Sequence, residues 1–188
     1  MGKKGEGNRQ RIITAAEDLF YKGGYNQTSF QDISDATNIP RGNFYYYFKT
    51  KEDILNAVID ARVSTLSTLL NKLDTEITSP RERLLMFTNR LKHDDADINQ
   101  TGCPAGTLCA ELAKDDVSLH EKSKQVFVVL RAWMRQQFEL MGVSNADELS
   151  MDLIARLQGI NLIASVFKED EYLQRSHADI HDWINEQG

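Results

Sequence analysis

From Arg9 to Trp183 the apolar residues of this chain recur at spacings of three and four, and no segment alternates apolar with polar residues as a half-buried strand would. This periodicity constrains the fold more than any other feature. A helical stripe threaded into a sheet would turn part of its core set to water. Only 3 prolines and 11 glycines interrupt the pattern, and a hydrophobic share of 41% is enough to fill a core. The expectation is an all-α protein.

The first helix is predicted from about Arg9 to Lys22, with Ile12, Ala16, Leu19 and Phe20 as its stripe and Gly23-Gly24 as its stop. Thr28-Ser29-Phe30-Gln31 reads as a capping box, with threonine capping a short second helix and Gln31 reaching back. Pro40 suits the first turn of a third helix. A fourth begins at Lys51-Glu52-Asp53 and runs to about Leu73. Ser79-Pro80-Arg81-Glu82 opens a fifth. A polar link from His93 to Thr101 leads to Gly102-Cys103-Pro104 and a sixth helix ending near Ala113. One long helix is expected from about Ser118 to Met141, another from Ala146 to Lys168, and a last one holding Trp183.

The third helix carries the chemistry. At 100° per residue, Phe44 and Phe48 point one way, against the first two helices. Gly42, Asn43 and Tyr46 point the other way, with Arg41, Tyr45 and Tyr47 on the flanks. A glycine on the outer face allows close approach to a groove, and arginine and asparagine can pair bidentately with guanine and adenine edges. Tyrosine hydroxyls and Lys51 suit phosphates, and Thr28 marks a helix N-terminus able to hold one. Three short helices with a tight turn before the third make a helix-turn-helix. The plainer reading of Phe44 to Phe48 is an aromatic core helix, but tyrosines on all sides of it weigh against that.

Arg11-x-x-Thr14-x-Ala16-x-x-Leu19-Phe20, Gly24-Tyr25, Thr28-Ser29-x-x-Asp32-Ile33 and Gly42-x-Phe44-Tyr45-Tyr46-Tyr47-Phe48-x-x-Lys51-Glu52-Asp53 resemble the N-terminal domain of tetracycline-repressor-type (TetR/AcrR) regulators. The resemblance covers about residues 9–60. It implies an N-terminal helix-turn-helix DNA-binding domain over residues 1–50 and a C-terminal helical ligand-sensing and dimerisation domain over residues 51–188, the boundary being a continuous helix and not a flexible linker. It also implies a homodimer that binds a palindromic double-stranded operator and a small-molecule inducer. Thr28, Tyr45, Tyr46 and Lys51 match backbone-contacting places, and Arg41 and Asn43 match base-reading places. Tyr47 departs from the histidine common at its position.

The charge balance fits this division. Residues 1–62 hold 9 basic and 8 acidic side chains, a net of +1, so the whole-chain charge of −6 leaves −7 on the remainder, which an operator would not approach. Phe87, Arg90, Cys103, Thr107, Phe127, Trp133 and Met134 are the candidate ligand contacts, with ordinary core packing as the plainer alternative for the apolar ones. Cys103, between a glycine and a proline at a helix start, is either a small residue at a tight turn or a thiol sensor of electrophiles or oxidants, as in some regulators with a similar Gly-Cys motif. Leu153, Leu157, Ile160, Asn161 and Ala164 read as a dimerisation stripe or as internal core. His177 and His181 are one turn apart, but with no third ligand evident a solvated face is expected there and no metal. No cofactor motif and no nucleophile–base pair occurs at usable spacing, so neither a cofactor nor an enzyme is expected. A helical interaction protein that has lost DNA binding is the remaining alternative, against which Arg41, Gly42, Asn43 and Lys51 speak. Two cysteines make no disulfide framework, and no signal-peptide or spanning apolar run is present; the expected place is the cytoplasm, off the membrane.

Overall fold

The computed structural model describes residues 3–93, 102–114 and 117–188. The helices there are α1 (Lys3–Gly23), α2 (Phe30–Thr37), α3 (Arg41–Tyr47), α4 (Lys51–Glu76), α5 (Pro80–His93), α6 (Pro104–Leu112), α7 (Val117–Ser123), α8 (Gln125–Leu140), α9 (Ala146–Phe167) and α10 (Asp170–Asn185). No strand occurs among the described residues. The predicted link after His93 lies outside them. Contacts group the chain into two compact units: residues up to Ser64 with Thr107–Gln125, and Thr65–Gly106 with Val126–Gly188. Packing thus divides the chain within α4 and joins Thr107–Gln125 to the first unit.

In the first unit, local chemistry sets each helix end. The capping box of α2 lies one residue later than predicted: Ser29 Oγ accepts from Asp32 N–H at 3.2 Å, and Asp32 Oδ2 accepts from Ser29 N–H at 2.7 Å. Thr28 is unsuited to that task because its buried hydroxyl donates to the Gly24 carbonyl at 2.8 Å. Gln31 bonds Asp35 at 2.8 Å and does not reach back. Asn38, at φ 53°, ends α2 in the left-handed region, and Arg11 donates to the last-turn carbonyl of Thr37 at 2.6 Å. Pro40 precedes α3 as its N-cap instead of sitting inside its first turn. Asp53 accepts from Lys49 N–H at 3.0 Å and Thr50 N–H at 2.9 Å, and these bonds hold its carboxyl below the usual range.

Ile12, Ala16, Phe20, Ile33, Phe44, Phe48, Ile54, Leu55 and Val58 form the core of this unit. Leu112 and Leu119, from α6 and α7, complete it. The expected long helix over residues 118–141 is instead α7 and α8, parted at Lys124. There the Ser123 hydroxyl donates to the His120 carbonyl at 2.8 Å and competes for a helical acceptor.

The second unit is a separate core of Leu70, Leu84, Phe87, Trp133, Met134, Phe138, Leu153, Leu157, Ile180 and Ile184, among others. Asp74 anchors a partly buried polar cluster beside it, accepting from Trp133 Nε1 at 3.0 Å and from Gln137 Nε2 at 3.3 Å. Arg83 donates to Gln137 at 3.1 Å and to the Ile77 carbonyl at 2.7 Å, so the cluster is satisfied. Arg81, in the first turn of α5, donates to the carbonyls of Ile184, Asn185, Gln187 and Gly188 at 2.6–3.1 Å. One guanidinium thereby covers the open C-terminal end of α10.

Candidate nucleic-acid interface

The side chains of α3 divide as the helical period predicts. Phe44 is 0% exposed and Phe48 4%, while Tyr45 is 47% and Tyr46 69% exposed. Gly42 and Asn43 face water, and a β-carbon added at Gly42 would meet nothing within 4 Å. The outer face of α3 is therefore open and polar, and its inner face is anchored in the core. Arg41 opens the helix; its side chain lies outside the described part of the structure. Tyr45 is held by stacking on Phe30, with centroids 6.1 Å apart. Tyr47 is half-buried, its hydroxyl accepting from Asn8 Nδ2 at 3.4 Å, and Tyr46 packs edge-on against its ring.

Beside α3 lies an open groove of about 410 Å³, lined by Asn26, Gln27, Thr28, Ser29, Phe30, Gln31 and Lys51. Thr28 and Lys51, two predicted backbone-contacting residues, come together there. Both also have structural tasks. Lys51 Nζ donates to the Tyr25 carbonyl at 2.9 Å and lies 4.1 Å from the centre of the Tyr25 ring. Partial burial lowers the affinity of this amine for its proton, and the nearby Glu111 carboxylate opposes that shift.

The other predicted sites fare differently. Phe87, Trp133 and Met134 are buried, with the Phe87 and Trp133 rings 5.5 Å apart, and Phe127 packs against the same core. Arg90 and Thr107 are exposed, and Cys103 is half-buried at the start of α6. Leu153, Leu157, Ile160, Asn161 and Ala164 are all buried within the protomer's own second unit. Their burial matches the internal-core alternative, since side chains filling one chain's core present little surface to a mate. The apolar residues that α9 leaves exposed include Met151, Leu162, Val166 and Phe167. His177 is buried and His181 half-buried, the latter with Nε2 3.1 Å from the Thr88 hydroxyl, so the expected solvated face is corrected. Among the described residues no group of three or more His, Cys, Asp or Glu is placed to hold a metal ion. No helix there is long and apolar enough to cross a membrane. Glu111, which the sequence offers only as a polar group able to orient a ligand, is the acidic partner of the Tyr25–Lys51 corner.

A short helix anchored by two phenylalanines, with a polar outer face and a preceding helix across a tight turn, defines a helix-turn-helix DNA-binding protein. The sequence profile of the bacterial regulatory proteins, tetR family, matches residues 12–58. An uncharacterized HTH-type transcriptional regulator in the lacX 3′ region of Lactococcus lactis subsp. lactis is 33% identical over 171 residues, covering 88% of this chain and 87% of that protein. The transcriptional regulator AcuR of Cereibacter sphaeroides is 29% identical over 147 residues, 76% of this chain and 65% of its own length. The crystal structure of a TetR transcriptional regulator from Legionella pneumophila shares the fold, with a TM-score of 0.83 at 24% identity over 97% of both chains. The chain belongs to the TetR family and is a DNA-binding transcriptional regulator. Proteins of this family are regulators, not enzymes; they are dimers that bind DNA operators and small-molecule ligands.

Proposed function

We propose that the protein is a homodimeric repressor that occupies a palindromic operator and leaves it when a small-molecule inducer binds. The observation that carries this reading is the two-sided α3, with Phe44 and Phe48 buried and Gly42, Asn43, Tyr45 and Tyr46 presented to solvent. On this reading Arg41 and Asn43 read base edges in the major groove, and Gly42 lets the helix approach. Tyr45, Tyr46 and Tyr47 contact the sugar-phosphate backbone flanking α3. Thr28 and Lys51 do so in the groove beside it, where Asn26, Gln27 and Ser29 add polar lining. Phosphate contacts of this kind set register, and base contacts set sequence.

A second copy of the chain would dock on the exposed stripe of α9. Met151, Ala155, Gly159, Leu162 and Val166 follow at spacings of three and four, all face solvent, and a β-carbon at Gly159 would meet nothing within 4 Å. The inducer would act within the second unit. Phe87 and Trp133 are in contact, so a ligand seated between them must part the two rings. It shifts the DNA-binding equilibrium only by its difference in affinity between the packed and parted states.

The test is selection of a duplex from a random library, followed by competition binding with variants. Arg41→Ala should lose discrimination at a particular base pair, by about 1–3 kcal/mol, while Lys51→Ala should weaken all sequences and lower the salt slope by about one. Equal losses on selected and random DNA for Arg41→Ala would remove it from base reading.

A further inference from the structure

The turn between α1 and α2 is held by a residue far along the chain. Glu111, in the last turn of α6, accepts from two successive backbone groups: Oε2 from Tyr25 N–H at 2.9 Å and Oε1 from Asn26 N–H at 2.8 Å. The fit is close. A β-carbon on Gly24 would lie 3.2 Å from Oε2 and 3.3 Å from Oε1, and Gly24 has φ +86°, so glycine suits this position on both counts. Leu112, the next residue, is buried in the core of the same unit, which gives the carboxylate a rigid base. Tyr25 is fixed at its other groups as well. Lys51 takes its carbonyl and covers its ring, and Phe20 packs edge-on at 5.2 Å. Tyr25 N–H, Tyr25 carbonyl and Lys51 Nζ thus form a line from α6 to the first turn of α4, passing through the wall of the groove beside α3.

We infer that Glu111 is a positioning residue for DNA binding: its carboxylate fixes the turn from Gly24 to Thr28, and through it the groove and Lys51, so that the hold of α6 on this turn sets affinity for the DNA backbone. The inference rests on the proposed phosphate role of that groove. It differs in sign from simple electrostatics. A carboxylate near a phosphate-binding groove repels DNA, so removing its charge would tighten binding if charge were its main effect. If it positions the turn, removing it leaves two backbone donors to be ordered on binding, and affinity falls.

The experiment uses the full chain, wild type, Glu111→Gln and Glu111→Ala. Each is titrated with the duplex that wild type selects from a random library and with a random duplex of equal length, and amide exchange at Tyr25 and Asn26 is followed. The alanine variant is expected to bind both duplexes about tenfold more weakly and to lose protection at both amides. Glutamine keeps one carbonyl oxygen on the turn and should bind about threefold more weakly, with protection lost in part. Should the alanine variant not fold, the near-isosteric glutamine variant decides by its sign. Binding by Glu111→Gln as tight as wild type, or tighter, overturns the inference, and so does unchanged protection of both amides. The underlying phosphate assignment is read separately from Lys51→Met: a salt slope equal to wild type refutes that assignment whatever Glu111 does.

Discussion

At the scale of single residues, the helix-turn-helix uses its small polar side chains to close backbone ends. Asp32 is the clearest case. Its carboxylate accepts from the Ser29 hydroxyl and N–H, both at 2.7 Å, and these bonds, the hydroxyl's first, hold its pKa below the ordinary 3.8. A carboxyl depressed in the folded state stabilises fully above its unfolded value and ceases to do so as pH falls through the folded one. Acid unfolding of the intact chain should therefore steepen below about pH 4, and Asp32→Asn should flatten that part of the curve; circular dichroism against pH checks it. A profile for Asp32→Asn parallel to wild type would remove Asp32 from the acid response. The cap itself was legible in sequence, but its register was not. Thr28 and Ser29 are both competent caps, and only the burial of the Thr28 hydroxyl against the Gly24 carbonyl decides between them.

At the scale of elements, the helical period located nearly every helix, because a stripe of apolar residues leaves a direct trace in sequence. Which stripe faces inward is harder to read when a helix has two. In α9 one set, including Leu153, Leu157 and Ala164, fills the core, and another, including Met151, Leu162 and Val166, is exposed. Periodicity marks both equally. The two sets should separate experimentally. Leu157→Ala should lower stability by about 2–5 kcal/mol in urea titrations, whereas Leu162→Glu with Val166→Lys should shift sedimentation from dimer to monomer and change stability little once subunit concentration is held constant. A double variant that sediments as wild type does would place the dimer contact elsewhere. The break between α7 and α8 was missed for a related reason: Ser123 fits a helical pattern, and only its bond to the His120 carbonyl shows the interruption.

At the scale of the whole molecule, what was legible is what is local. The helix-turn-helix signature lies within residues 12–58, and its burial pattern follows from neighbours in sequence. The role of Glu111 was not legible, because a contact spanning 86 residues leaves no periodic mark. The same holds for Leu112 and Leu119, which seal the core of the DNA-binding unit from well beyond α4. A fragment ending at Ser64 should consequently unfold at least about 3 kcal/mol more easily than the same unit in the intact chain, and supplying residues 107–125 on a tether should restore most of the difference; urea titration followed at 222 nm reads both. An untethered fragment as stable as the intact unit would contradict this. The arrangement also bears on how the protein is made. Translation delivers the recognition helix early, yet the leucines that finish its core emerge only after dozens more codons, seconds later at ordinary elongation rates. A ribosome that stalls or a message that ends early releases a head lacking its seal, so a prematurely terminated polypeptide is a poor competitor for the operator.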